Sequence, residues 1–212
     1  MNTVLLLVTA YLLGALPIGY WVVKYTRGID LLTVGSGSTG TTNVLRTAGK
    51  GAAALVFFLD NLKGFIPTYL AVYCARNGLL PEIGNSMWIV CAVAMICIVA
   101  HSKSIFLKFK GGKGAATALG TTFAMNWMGS LTSFGLFVLL VYLFKFVSLA
   151  SLIAVGTSCI VMWLYSHEPS FTGFCLFAGV FVVYSHRANI RRLLAGTEPK
   201  IGQRVQATPK MQ

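Results

Sequence analysis

Residues 130–166 read SLTSFGLFVLLVYLFKFVSLASLIAVGTSCIVMWLYS, and Lys145 is the one charged side chain among them. An α-helix crosses the hydrocarbon core of a bilayer with about 20 apolar residues. The stretch therefore predicts two spans, 130–146 and 148–166, joined at the lysine. The rest of the chain has the same character. Of its 212 residues 56% are hydrophobic and 10% charged, with a mean hydropathy of +0.75, whereas soluble domains carry about a quarter charged residues. A soluble globular domain is excluded, because its surface would lack the charge it needs. The 17 Lys and Arg against 5 Asp and Glu leave a net charge of +12. In a soluble chain that excess would suggest nucleic acid. In an apolar one it sets membrane orientation and draws anionic substrates, and no nucleic-acid partner is expected.

Working outward, five more apolar stretches predict an all-α integral membrane protein, a seven-span transmembrane helical bundle with helices at 3–23, 52–75, 87–100, 114–126, 130–146, 148–166 and 171–185. The third, fourth and seventh are short and 114–126 is only moderately apolar, so a five-span count suits the pattern too. Residues 1–23 lack the positive n-region and A-x-A site of a signal peptide and are read as a retained span. With seven spans the termini lie on opposite sides, and 15 of the 17 cations fall on one of them; Arg76 lies opposite and Lys63 within a span. Positive residues mark the cytoplasm, so the N-terminus is expected outside and the C-terminus inside, with Trp88, Trp127 and Trp163 toward the outer boundary. Residues 1–198 are read as one polytopic domain and 199–212 as a disordered polar cytoplasmic tail. The five cysteines sit in or beside apolar stretches without C-x-x-C spacing, and imply neither a disulfide nor zinc.

Three polar segments share the cytoplasmic side. The first, Gly35-Ser36-Gly37-Ser38-Thr39-Gly40-Thr41-Thr42-Asn43-Val44-Leu45-Arg46, is built like an anion cradle. Glycines let backbone amides converge, hydroxyls donate further bonds, and an arginine grips phosphate with two prongs. Composition alone also suits a flexible linker, but a linker needs neither Asn43 nor Arg46. The G-K-[ST] ending of a P-loop is missing, so nucleotide hydrolysis has no support. The second, running from His101 through Lys103, Lys108, Lys110, Gly111, Gly112 and Lys113 to Gly114, delivers lysines and glycines to a predicted helix N-terminus, where an anion is favoured. Its lysines also suit anionic lipid headgroups; its glycines do not follow from that. In the third, 186–198, a helix would place His186 and Asn189 on one face and Arg187 and Arg191 on another. His186 fits a general base or an orienting hydrogen-bond partner equally well, Arg192 reads as a membrane-surface anchor, and Glu198 as a partner for a basic residue of another loop. Asp60 and Lys63, at i, i+3 within a span, are expected to face the bundle interior, as a structural ion pair or as support for the basic residues around the site.

Together the three segments resemble the bacterial acyl-phosphate:glycerol-3-phosphate acyltransferase family (PlsY). The first loop is similar to that family's G-S-G-N-x-G-x-T-N-x-x-R, the second to G-H-x-x-P-x-F-x-x-F-K-G-G-K-G-x-A-T, and the last to H-R-x-N-I-x-R-L-x-x-G-x-E; Asp60-x-x-Lys63-Gly64 and residues 147–151 are familiar from it as well. Ser38, Ala100 and Ser104 depart from its usual Asn, Gly and Pro, and loss of the proline is expected to loosen the second loop. The resemblance implies transfer of a fatty acyl group from acyl phosphate to the 1-hydroxyl of glycerol 3-phosphate, giving lysophosphatidic acid and inorganic phosphate for phospholipid synthesis. It implies a multi-pass protein of the bacterial inner membrane with its site facing the cytoplasm, in contact with the enzyme that makes the acyl phosphate. Carried over by resemblance are Ser36, Arg46, Lys113, His186 and Asn189 as catalytic positions. Gly37, Thr42, Asn43, Lys110, Gly111, Gly112 and Ser148 follow as phosphate or backbone contacts, with Asp60, Lys63 and Glu198 in support. No cofactor or metal is expected, and activity should survive chelators. A transporter would place its site between repeats near the bilayer midplane, and no inverted repeat is visible. A thioester-using acyltransferase would show an H-x-x-x-x-D pattern that His101 does not begin.

Overall fold

The computed structural model describes residues 2–80 and 86–203. The first predicted span is two helices, α1 (Thr3–Ala15) and α2 (Ile18–Arg27), parted at Leu16 and Pro17. Proline has no amide proton to continue the helical ladder, and the break exposes carbonyls that other elements satisfy. Ser104 Oγ donates to Ala15 O at 2.5 Å and Lys63 Nζ to Leu16 O at 2.8 Å. A short α3 (Thr41–Ala48) follows, then the long α4 (Lys50–Arg76), α5 (Met87–Ser102), a single 3-10 turn at Ile105–Leu107, α6 (Ala115–Met125) and α7 (Trp127–Phe144). The chain closes with α8 (Val147–Ser166), α9 (Pro169–Ser185) and α10 (Arg187–Leu194).

All seven predicted spans are helical. Among the described residues four helices are long and apolar enough to cross a membrane, taking α1 and α2 together with α4, α7 and α8; α9 and α10, bent by 62°, add a fifth if counted as one. α5 and α6 are apolar but shorter. The fourth and fifth predicted spans part at Asn126, whose Oδ1 accepts from Gly129 N at 2.9 Å and caps α7.

α5 lies at the centre, packed on α1, α4, α6 and α9, with Val90, Val93, Ala94, Cys97 and Ile98 buried. Lipid supplies no hydrophobic drive between helices, so close backbone approach through small residues holds such a bundle together. A Cβ at Gly64 would come within 2.4 Å of the Thr117 carbonyl oxygen, and one at Gly120 within 2.0 Å of that of Asn61, which is how tightly α4 and α6 cross. Outward the surface is apolar: Leu164 is 61% and Val180 65% exposed, as befits a protein whose solvent is lipid. A smaller core of Val23, Leu31, Val44, Ala53 and Val56 seats α2, α3 and the loop between them on α4. Of the five cysteines, Cys74, Cys91, Cys97 and Cys175 are buried.

Ser104 does not loosen the second loop. It is 1% exposed, and its bond to Ala15 ties the loop to the α1 break. Residues 199–203 turn back on the bundle, where Pro199 O accepts from Arg46 at 3.4 Å and Ile201 N donates to Lys145 O at 2.8 Å. The rest of the predicted tail, 204–212, lies outside the described residues.

Candidate active site

The N-terminal ends of α3, α6 and α8 and the start of α10 surround one cavity of about 410 Å³. Its first wall is the loop before α3. Gly35 and Gly37 adopt φ of +57° and +64°, a region open to glycine, and so wrap the chain around Asn43. Asn43 Nδ2 faces the carbonyl oxygens of Ser38 (2.9 Å), Val34 (3.1 Å) and Leu31 (3.4 Å), while its Oδ1 accepts from Ser36 N at 3.1 Å. Of the phosphate or backbone contacts expected of Asn43, the backbone ones are present: from its place on the cavity wall its side chain holds the loop closed. The first turn of α3 borders the cavity. Its N-cap Gly40 supplies no side-chain acceptor, leaving first-turn donors unsatisfied within the helix. Thr41 and Thr42 line the cavity there, with Arg46 one turn beyond and Ser36 at the rim.

The second segment divides. Gly111 and Gly112 are off the cavity wall, and their lack of a side chain has a packing cause: a Cβ on Gly112 would fall 2.0 Å from His101 Nε2, and one on Gly111 2.2 Å from His101 O. Gly112 N donates to His101 O at 3.1 Å, and Gly111 O accepts from Thr39 N at 3.5 Å, joining the first segment to the second. Gly37 and Lys110 are also absent from the wall; Lys110 is exposed, in a hairpin closed opposite Ser104. Lys113 does reach the cavity, beside Gly114, Ala115 and Ala116 at the uncapped start of α6. Burial pushes the Lys113 ammonium down to about 8, with Glu198 opposing and the charges of Arg192 and Arg46 reinforcing it.

The third segment is organised by Glu198, which is 7% exposed. Its Oε1 accepts from Ser148 Oγ at 2.8 Å and Asn189 Nδ2 at 2.7 Å, and its Oε2 from Arg192 Nε at 2.7 Å. Burial works to raise this carboxyl, and the donors from Asn189, Ser148 and Arg192 outweigh it, holding Glu198 below the usual range. Because a carboxylate only accepts, Asn189 must turn its amide nitrogen to it, which leaves Oδ1 buried with no partner among the described residues. His186 is set in the same way. Its Nδ1 lies 2.8 Å from the Val182 carbonyl oxygen and must carry the proton, so Nε2 is an acceptor. Burial first, then the charge of Lys113, lowers His186 to about 4, and the ring is neutral near pH 7.

Beneath the wall Lys63 Nζ pairs with Asp60 Oδ1 at 2.8 Å, and His101 Nδ1 stands 3.6 Å from the same oxygen. Asp60 and His101 touch the cavity; Lys63 turns to the α1 break. Away from these polar groups the cavity continues as an apolar trough between α4, α6, α7, α8 and α9, lined by Phe57, Leu119, Phe134, Phe137, Val155 and Phe174. Ser36, Thr42, Arg46, Lys113, Ser148, His186, Asn189 and Glu198 thus surround one space, as the sequence predicted for a site drawn from three segments. Arg192, expected as a membrane-surface anchor, is 35% exposed and also pairs with Glu198. Its i, i+3 spacing from Asn189 on α10 is the signal that both reach one acceptor. Ser36 Oγ has no hydrogen bond to a basic group among the described residues, the partner by which a serine nucleophile is activated.

The sequence profile described as Glycerol-3-phosphate acyltransferase matches residues 4–196. Glycerol-3-phosphate acyltransferases of Nostoc sp. strain PCC 7120 and Synechococcus sp. strain JA-2-3B'a(2-13) are 46% and 43% identical to the chain, covering 92% and 99% of it and 90% and 100% of their own lengths. The crystal structure of PlsY (YgiH), an integral membrane glycerol 3-phosphate acyltransferase, in its glycerol 3-phosphate form, superposes with a TM-score of 0.86 at 37% identity, over 94% of this chain and 96% of that one. Its lysophosphatidic acid form gives 0.83 at 36%, over 94% and 95%. With the profile, the relatives and the solved fold in agreement over nearly its full length, the chain belongs to the PlsY family of integral membrane glycerol-3-phosphate acyltransferases.

Proposed function

We infer that the acyl donor is an acyl phosphate, that the acceptor is the 1-hydroxyl of glycerol 3-phosphate, and that transfer is direct. The observation that carries this reading is the pairing of a phosphate-friendly head, where α3, α6 and α8 begin around Arg46 and Lys113, with an apolar trough continuous with it. Helix N-termini and fixed cations offset the mutual repulsion of two phosphates, and the trough suits a fatty chain. Thr41, Thr42 and Arg46 hold one phosphate, and the α6 start with Lys113 the other. Two oriented acceptors, His186 Nε2 and Asn189 Oδ1, hold hydroxyls of the glycerol. They place its 1-hydroxyl against the acyl carbon, and positioning of this kind is a large source of rate. The hydroxyl oxygen forms the new ester bond, the bond from acyl carbon to phosphate oxygen breaks, its electron pair leaves with the phosphate, and the hydroxyl proton passes to a phosphate oxygen. The products are lysophosphatidic acid and inorganic phosphate. The topology that goes with this reading has seven spans in the bacterial inner membrane, N-terminus outside, C-terminus and site on the cytoplasmic side.

Purified protein in detergent, given labelled glycerol 3-phosphate with acyl phosphate, acyl-CoA or acyl carrier protein in parallel, is expected to turn over only the first donor. Arg46→Ala and Asn189→Ala should each lose at least about a hundredfold in rate, in line with the loss of an oriented charge-stabilising group, while retaining helical circular dichroism. Full rates in both variants would remove the site assignment, and an acyl group trapped on Ser36 after quenching would reject direct transfer.

A further inference from the structure

The middle of the second segment, residues 104–110, is unused by the cavity and is built for another contact. Between Ser104 and Lys110 the chain makes a tight hairpin in which Lys108 and Phe109 both adopt left-handed backbone, with φ of +53° and +61°. Side-chain-bearing residues take that conformation only when the surroundings impose it. Here it turns apolar groups outward: Ile105 is 51%, Phe106 50% and Phe109 58% exposed. The hairpin's base is rigid, since Ser104 is buried on Ala15 O and Tyr11 Oη donates to Lys103 O at 3.1 Å. Phe106 meets Trp21 of α2 with ring centroids 6.4 Å apart, and Tyr25, one turn further along α2, is 84% exposed. Lys24, Lys103, Lys108 and Lys110 stand exposed around these rings, and no acid pairs with any of them among the described residues.

Depth identifies what covers this face. The 16 residues of α5 rise about 24 Å at 1.5 Å each, short of the roughly 30 Å hydrocarbon core. α5 ends at Ser102, so the short stretch that follows, from Lys103 to Phe106, comes at the boundary between acyl chains and headgroups, with the exposed lysines around it at the level of lipid phosphates. Aromatic rings with cations at that boundary suit an anionic interface. We propose that the outer stripe of α2 and the 104–110 hairpin form one docking face for anionic phospholipid headgroups of the surrounding bilayer. This face depends on the bundle lying in a membrane and not on the acyl-transfer reading.

The test uses the full chain reconstituted in phosphatidylcholine vesicles containing phosphatidylglycerol. Electron spin resonance with spin-labelled forms of the two lipids gives their relative association with the protein. Wild type should prefer phosphatidylglycerol by about fivefold or more, the weight of a single lysine near an anionic surface. A variant carrying Lys24→Gln, Lys103→Gln, Lys108→Gln and Lys110→Gln should fall to near parity with unchanged helicity. Undiminished selectivity in that variant, or parity in the wild type, overturns the proposal. A photoreactive benzoyl-phenylalanine in place of Phe106 should form adducts with phospholipid on irradiation. Adducts with another protein in native membranes, and none with lipid, would assign the face to a protein partner instead.

Discussion

Lys113 and His186 show how burial sets chemistry at single residues. Burial brings the lysine to about 8 and the histidine to about 4. A lysine loses its charge as pH rises through its pKa, and a histidine gains one as pH falls through its own. Between the two the cavity holds a cationic Lys113 beside a neutral, accepting His186. The kcat/KM for glycerol 3-phosphate, which reports the free enzyme, should therefore decline above about pH 8. Lys113→Arg, whose guanidinium keeps its charge, should carry that alkaline limb upward by at least one pH unit, at a reduced maximal rate. An unmoved limb in this variant would mean that Lys113 does not set it. Asn189 shows the same economy through hydrogen bonding: a carboxylate on one side of the amide decides what its other side offers to a ligand.

At the scale of elements, the glycines of the second segment are spacers that let one loop lie on α5. Gly112 runs over the His101 ring where no Cβ fits. Gly112→Ala should lower both activity and melting temperature, because the ring or the loop must move and Lys113 moves with the loop. Removing the obstacle as well, in Gly112→Ala with His101→Ala, should recover part of the loss, with a coupling of about 1–3 kcal/mol for residues in direct contact. Additive losses measured by thermal unfolding and turnover would show that Gly112 serves some purpose other than room for His101. The Pro17 break obeys a similar logic. A helix interrupted inside an apolar bundle exposes carbonyls that water cannot reach, and here a serine from the second segment and the ion-paired Lys63 answer them.

Across the whole molecule, every polar segment of the site lies at one end of the bundle. The α3 start, the Lys113 loop, the α8 start and α10 meet there, whereas Met128, at the start of α7, lies at the other end of that helix from Lys145. The proposed topology puts the first group in the cytoplasm. In spheroplasts of cells expressing single exposed cysteines, with Cys159 replaced by Ala, a membrane-impermeant thiol reagent should label Met128→Cys directly and Lys108→Cys only after lysis. Labelling of both from outside would refute the orientation that the distribution of lysine and arginine implies.

The apolar runs determined by themselves that the chain is a helical membrane bundle, because crossing a bilayer demands that backbone polar groups be satisfied within each segment and the required length of side chains is plain along the sequence. The three polar segments, from Ser36 and Arg46 through Lys113 to His186 and Asn189, were legible as well, since clusters of charged and hydroxyl side chains stand out in an apolar chain. Tertiary structure alone decided which members of those segments meet. Asn43 closes its loop from the cavity wall, Gly111 and Gly112 make room for His101, and Arg192 pairs with Glu198, because each depends on a neighbour many residues away or on a turn of the backbone. The break at Pro17 was hidden for the same reason: its cost depends on what stands opposite the freed carbonyls, and Lys63 and Ser104 are brought there only by the fold.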